Sequence, residues 1–319
     1  MRNAIINSEW VTKITFFVIK VDYFADDKII VYPIGLYPIA TPISRLSLRG
    51  LRNIYINNNM KTNLLIKVGR YPFLSEPFHC DFSQRLFIGR LGNILLNAAD
   101  FHSNERGYGM TILHPLHKTW VLSRLAIELE EMPTAYQKFY VETWVEGVMK
   151  YFTNRNFAVV DEGGQVFGYG RSVWAMIDTD TRQPIDIQTV NDGIVSQYVE
   201  VEKSCSIDKP SRVKMTDAAQ RVRTISTCYS DVDMNGHINS VKYIEHVMNL
   251  WDMNFHRSHQ LKRIDVAYVA EAYGGDELAF YVEQTGSEEY CVRITKYAKA
   301  APQEVEVCRC KLLFVQARR

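Results

Sequence analysis

Beyond residue 60, apolar and polar positions change period in a repeated order. Over 86–107, "LFIGRLGNILLNAADFHSNERG", the residues Leu91, Ile94, Leu95, Ala98 and Phe101 recur at helical spacing. They predict a helix with a broad apolar face. Gly107 and Gly109 supply its stop. The period then falls to two over 119–128, 137–146, 153–161 and 165–177, as in strands, and Gly163-Gly164 marks a hairpin between the last two. A second helix is predicted over 239–251, where Val241, Ile244, Val247, Met248 and Trp251 share one face. Strand-like runs follow at 263–272, 277–285, 289–298 and 304–315, with a turn at Gly274-Gly275. Between the halves, 178–222 is polar, carries Pro184, Gly193 and Pro210, and reads as a connecting segment.

Each half is thus a leading strand, one apolar helix and an antiparallel meander. A helix that apolar must be wrapped by a curled sheet, which is the pattern of a hot-dog fold. Two in tandem predict an α+β double hot-dog, resting on element order rather than on residue identity between the halves. The expected domains are an N-terminal hot-dog at 60–178, a linker at 179–222 and a C-terminal hot-dog at 223–319. Residues 1–59 alternate short apolar runs with breakers and end in Asn57-Asn58-Asn59, directly before Met60. Two expectations compete for them: a translated upstream stretch before a native start at Met60, or a true N-terminal extension packing on the domain.

Composition narrows the class. The 319 residues are 47% apolar and 23% charged, as in soluble globular proteins. A net charge of +1 gives no overall attraction to nucleic acid or anionic membrane. The six cysteines, at 80, 205, 228, 291, 308 and 310, show no zinc or CxxC spacing and read as free thiols in a reducing cytoplasm. Residues 29–43 are apolar but hold three prolines and are too short to span a bilayer. Lys13, Lys20 and Asp22 interrupt the first 25 residues, unlike a secretory signal. A cytoplasmic protein without membrane insertion is expected.

The candidate chemistry lies in 230–242, "SDVDMNGHINSVK". Its start matches a calcium loop, but Lys242 stands where such a loop needs a bidentate glutamate, and the preceding residues alternate like a strand. Asp and Asn before Gly are equally what a tight turn uses. Asp233, Asn235 and His237 fall at i, i+2 and i+4, on one side of an extended segment just before the helix. Imidazole accepts a proton from water, and unpaired N–H groups at a helix start stabilise an oxyanion. A capped turn with a surface histidine satisfies the same spacing.

The segment "YSDVDMNGHINSVKYIEHV" resembles the active-site segment of the acyl-acyl-carrier-protein thioesterases, the plant enzymes and their bacterial relatives. "WVLSRLAIELEEMP", "TNRNFAVVDEGGQVFGYGRSVWAMID", "PSRVKM" and "VAYVAEAYGGDEL" extend the resemblance from about Phe78 to Val315. It implies a double hot-dog and hydrolysis of acyl-acyl-carrier protein in fatty acid biosynthesis, with no cofactor and no metal. It places the family's catalytic positions on Asp233, Asn235, His237 and, on the strand after the helix, Glu271. Plant members carry a cysteine after that glutamate. Ala272 stands here, so a cysteine nucleophile cannot act from that position. No Gly-x-Ser-x-Gly elbow is present either. Water activation remains: Glu271 and His237 hold and deprotonate the water, with the base between them left open. Asn235 and a helix-start N–H hold the oxyanion, and Asp233 orients its neighbours and sets the charge of His237.

In the first half, Asp81, Ser83 and Arg85 align with Asp233, Asn235 and His237, and Met132 falls near the Glu271 position. That half is read as a copy that kept shape and lost chemistry, its interior holding the acyl chain against Leu95, Ala98, Trp120 and Leu122. The implied partner is acyl-carrier protein with its phosphopantetheine-linked acyl chain. Landing candidates for it are Arg85, Arg90, Arg106, Lys118, Arg124, Lys150, Arg155, Lys262 and Arg263. No nucleic acid is expected, and a homodimer stays open. The alternatives are an acyl-CoA thioesterase on the same scaffold and a non-catalytic acyl-thioester-binding protein.

Overall fold

The alternating segments pair into one antiparallel sheet of ten strands, in a computed structural model that describes residues 65–298 and 301–317. The expectations for 1–59 lie outside the described residues. In chain order the main elements are β1 (Gly69–Leu74), α1 (Ile88–Glu105), β2 (Lys118–Leu129), β3 (Lys138–Val148), β4 (Phe152–Asp161), β5 (Val166–Asp178), β6 (Gln220–Ser226), α2 (Ser240–Met248), α3 (Met253–Ser258), β7 (His259–Tyr268), β8 (Glu277–Gln284), β9 (Glu289–Ala298) and β10 (Ala301–Gln316). The sheet order is β1-β3-β4-β5-β2-β7-β10-β9-β8-β6. Read from either edge, the two halves follow the same sequence of strands and meet at β2 and β7. At that seam Ala126 lies opposite Asp265, with Arg124 opposite Ala267 and Glu128 opposite Arg263. The double hot-dog expected from the repeated pattern is the observed architecture.

Helix α1 buries the predicted face, including Leu91, Ile94, Leu95 and Ala98, against Phe139, Phe157, Leu125 and Ile127 of the first half's strands. Gly107 ends it in the left-handed conformation (φ +79°), and the Tyr108 N–H returns to the Ser103 carbonyl at 3.0 Å. Helix α2 is half as long as α1 and stops at Met248, short of the predicted 251. Arg223 donates to the Asn249 carbonyl at 2.8 Å, and Asp252 caps the next helix by accepting from the Phe255 N–H at 2.8 Å. Two capping devices thus break the helix inside one apolar run. Trp251 keeps its core role from the turn, packing on Phe255, Tyr290 and Phe314. The two long helices touch closely at Gly89, where a Cβ would lie 2.4 Å from Glu245 Cγ.

The segment between β5 and β6 is less of a linker than its polarity suggests. Ile187, Val190 and Val195 are buried with Tyr108, Leu113 and Met176. Further along, the Ser211 N–H bonds Asp265 and Thr216 bonds Glu283, so the segment also packs on the second half. Cys308 and Cys310 point the same way on β10, their sulfurs 3.9 Å apart and both buried.

Arg263 holds the seam. It donates to both oxygens of Asp265, at 2.8 and 2.9 Å, and to Glu128 at 2.8 Å. Asp265 is only 3% exposed. This corrects the expectation that Arg263 belongs to a docking surface. Its replacement leaves a buried carboxylate unpaired, so Arg263→Ala is expected to cost about 2–4 kcal/mol of stability. Urea unfolding checks this through the midpoint, with little change in the salt dependence of substrate binding.

Candidate active site

The loop from β6 to α2 is shaped by its own side chains. Val232 and Ile238 form an antiparallel bridge, and the Asp233 N–H bonds the His237 carbonyl at 2.8 Å. The connecting turn needs Gly236 at φ +82°. The Asp233 carboxylate accepts from the Asn235 N–H at 2.8 Å and the His237 N–H at 3.3 Å. Asp233 therefore orients its neighbours through the backbone. The carboxylate within ion-pair distance of the imidazole is that of Glu271, which corrects the charge-setting role expected of Asp233.

Glu271 arrives from the turn after β7, not from the strand itself, because β7 ends at Tyr268. The Ile238 N–H bonds the Ala272 carbonyl at 2.8 Å, and His237 bridges Tyr273. This short pairing lays the Glu271 side chain beside the ring, with His237 Nε2 at 3.5 Å from Glu271 Oε2. Tyr273 donates to the same oxygen at 3.3 Å and packs edge-on to His237. Partial burial, together with the Glu271 charge, pushes the Tyr273 hydroxyl up. Lys296 holds the Glu271 backbone carbonyl at 2.6 Å.

Asp233, Asn235, His237 and Glu271 all line one cleft of about 930 Å³. Asn235 is exposed in it, and its side-chain amide has no protein partner among the described residues. The expected helix-start donor is partly taken, since Asn239 caps α2 by accepting from the Val241 N–H at 3.0 Å. Asp231 serves elsewhere. It is buried, accepts from the Cys228 N–H at 2.9 Å and pairs with His246 at 3.0 Å. Burial pushes its carboxyl up, but the bonds from Cys228 and the charge of His246 outweigh that and leave it low. Ala272 is fully buried, and burial also pushes the Cys308 thiol well above its ordinary value, which makes it a poor nucleophile.

The first half repeats the turn without the chemistry. The Asp81 carboxylate accepts from the Ser83 N–H at 2.8 Å and the Arg85 N–H at 3.2 Å, and Arg85 bridges Thr134 as His237 bridges Tyr273. The Leu86 N–H bonds the Pro133 carbonyl as Ile238 bonds Ala272. Met132 thereby stands where Glu271 stands. Arg85 crosses to the other half and donates to Gln260 at 2.9 Å.

Tyr243, Tyr268, Leu122, Trp120, Trp174 and Leu96 line the same cleft. Trp120 and Leu122 line it as expected, whereas Leu95 and Ala98 are fully buried on the core side of α1. Several expected landing residues are not free surface cations. Arg106 and Arg155 are each only 5% exposed, Lys262 pairs with Glu130, and Arg90 lies 3.5 Å from Glu76. Lys118, Arg124 and Lys150 have no carboxylate within ion-pair distance among the described residues.

Residues 70–198 match the acyl-ACP thioesterase N-terminal domain, and residues 214–314 match the acyl-ACP thioesterase C-terminal domain. The chain belongs to the acyl-ACP thioesterase family. A crystal structure of an acyl-ACP thioesterase from Bacteroides thetaiotaomicron VPI-5482 is 47% identical to it, with a TM-score of 0.71 over 78% of this chain and 98% of that one. The chloroplastic oleoyl-acyl carrier protein thioesterase of Coriandrum sativum is 26% identical over 223 residues, covering 64% of this chain and 59% of that protein. The chain thus spans about three fifths of the length of the curated plant relatives it matches. The 12:0-ACP thioesterase from Umbellularia californica shares the fold, with a TM-score of 0.69 at 19% identity over 80% of this chain and 99% of that one.

One residue of this family member's site was invisible in its sequence. Arg182, from the segment after β5, donates to Glu271 Oε1 across 89 residues of chain. A turn built on Asp178, whose carboxylate accepts from the Asp180 and Thr181 N–H groups, delivers it in the left-handed region at φ +60°. Arg182 occupies one carboxylate oxygen and leaves the other toward His237. Arg182→Ala is expected to lower kcat about ten- to hundredfold with little change in KM, as misplacement of a reacting group does. Arg182→Lys should recover part of the loss, and steady-state kinetics on both variants checks it.

Proposed function

We propose that the protein hydrolyses the thioester of acyl-acyl-carrier protein, releasing free fatty acid and acyl-carrier protein in fatty acid biosynthesis. The observation that carries this is the His237–Glu271 contact in a cleft that aromatic and aliphatic side chains also line. At 3.5 Å apart, His237 Nε2 and Glu271 Oε2 can both bond a single water. The water oxygen attacks the thioester carbonyl carbon, and its proton passes to this pair. The Asn235 amide donates to the oxyanion. Collapse of the tetrahedral intermediate breaks the C–S bond and returns the proton to the pantetheine sulfur.

In this reading the first repeat, 60–178, holds the acyl chain, and the second, 223–319, carries the chemistry. Lys118, Arg124 and Lys150 are the remaining candidates for the acidic carrier protein. If they dock it, raising ionic strength through the range where surface charges are screened raises KM for acyl-carrier-protein substrates and spares a small pantetheine thioester. A cytoplasmic setting agrees with the six free cysteines. No helix among the described residues is long and apolar enough to cross a membrane.

Thiol release from matched acyl chains on acyl-carrier protein and on coenzyme A tests the proposal. The carrier-protein substrate should have the higher kcat/KM. Equal or greater turnover of the coenzyme A thioester would assign the enzyme to acyl-CoA instead. Binding of both without turnover would make it a non-catalytic acyl-thioester carrier.

A further inference from the structure

Tyr273 is 46% exposed, yet each part of it is held in place. Its N–H donates to Asp276 Oδ2 at 2.9 Å, and its carbonyl accepts from the Thr227 hydroxyl at 2.9 Å. The Lys296 ammonium lies 5.0 Å from the centre of its ring, and the ring packs edge-on to His237 with centroids 5.2 Å apart. Lys296 is itself fixed by the Glu271 carbonyl at 2.6 Å, and Asp276 lies 3.7 Å from it. A half-exposed side chain loses rotamer freedom under such restraint and gains little burial in return. What the restraint sets is aim. The Tyr273 hydroxyl donates to Glu271 Oε2 at 3.3 Å, and that is the oxygen facing His237 Nε2.

The terminal torsion of a glutamate is broad, so a single bond does not set the plane of its carboxylate. Here Arg182 donates to Oε1 and Tyr273 to Oε2, and two donors, one on each oxygen, do set it. Each carboxylate oxygen offers two lone pairs. Tyr273 takes one of those on Oε2 and leaves the other for the water shared with His237, whose Nε2 stands 3.5 Å away. Burial and the Glu271 charge push the Tyr273 hydroxyl up, so it keeps its hydrogen at neutral pH and donates to this oxygen. Glu271 and His237 line the cleft and Tyr273 does not, so Tyr273 reaches a substrate only through them.

The first repeat, which lacks both base candidates, provides an internal comparison. There the Thr134 N–H donates to the Gln137 side chain at 2.9 Å, as the Tyr273 N–H does to Asp276. The turn and its side-chain cap are kept. The side chains that meet in the second repeat are all different: Arg85 stands for His237, Met132 for Glu271 and Thr134 for Tyr273. The Thr134 hydroxyl bonds back to Gln137 at 3.2 Å, within its own turn. The turn therefore does not require a tyrosine, and the tyrosine is present where the chemistry is. We propose that Tyr273 is a positioning residue for the hydrolysis, its hydroxyl fixing Glu271 and its ring edge fixing His237 so that one water bonds both. This rests on the hydrolase reading of the site.

The test uses the full chain, acyl-acyl-carrier protein as substrate and two substitutions. Tyr273→Phe removes the hydroxyl and keeps the ring. It should lower kcat about tenfold, as loss of a bond to a charged group does, with KM within about twofold of wild type. Tyr273→Leu removes the ring edge as well and should lower kcat about a hundredfold, as misplacement of a reacting group does. Added to Glu271→Gln, Tyr273→Phe should cost less than about twofold more, because the hydroxyl then has no carboxylate to place. Losses that multiply would put the hydroxyl on the substrate itself and overturn the inference. Wild-type kcat in Tyr273→Phe, or a loss confined to KM, would overturn it too. The contact is also read without turnover. With glutamate ¹³C-labelled at the carboxyl, and the Glu271 signal assigned by its absence in Glu271→Gln, Tyr273→Phe should displace that signal. If the wild type cleaves no thioester, the hydrolase reading fails, and the Glu271 signal alone decides whether Tyr273 holds the carboxylate. An unmoved signal overturns that contact as well.

Discussion

Glu271→Gln is expected to lower kcat on acyl-carrier-protein substrate by about a thousandfold, the middle of the range for loss of a positioned acid–base group, and to leave KM and folding near wild type. The amide keeps the size of the carboxylate and an oxygen that accepts from Arg182. It cannot take a proton from water. Folding is spared because the bond from Lys296 goes to the Glu271 backbone carbonyl, and the pairing of Ile238 with Ala272 uses backbone alone. Single-turnover and steady-state assays separate this loss from one of binding. Turnover near the wild-type rate would remove Glu271 from the mechanism.

His237→Ala is the second large effect, a loss of about 10²–10⁴ in kcat. The loop survives it, because the Asp233 carboxylate grips the backbone N–H of residue 237 and not its ring. The edge contact with Tyr273 is lost, at a stability cost of about 1 kcal/mol. Added imidazole distinguishes the two candidate bases. If His237 takes the proton, small imidazoles restore part of the rate in His237→Ala. If Glu271 takes it, they do not, while Glu271→Gln remains inactive in either case.

Helix α1 was legible because its apolar spacing, its glycine stop and its burial all follow from one amphipathic face. The end of α2 was not, since Val247, Met248 and Trp251 keep an apolar period straight through a break made by Asn249 and Asp252. The turn Asp233–His237 was readable from local chemistry, and the same turn recurs at Asp81–Arg85 because the backbone need is the same. The pairing of His237 with Glu271 depends on two strand-like backbone pairings between distant loops, His237 with Tyr273 and Ile238 with Ala272, which periodicity could not show. Arg182 carried no signal at all, for it sits in a polar stretch and acts only through the fold. Arg155 and Arg106 read as surface cations by type, yet hydroxyl and carbonyl partners, with Glu105 beside Arg106, hold them inside.

The central claim, direct attack by a water held between His237 and Glu271, is tested most directly by a single turnover of acyl-acyl-carrier protein in ¹⁸O-water. Mass spectrometry of the products should find one heavy oxygen in the released fatty acid and none in the peptide that contains Glu271. Unlabelled fatty acid together with label in that peptide would show that Glu271 attacks the thioester itself through an acyl-enzyme, and would contradict the account.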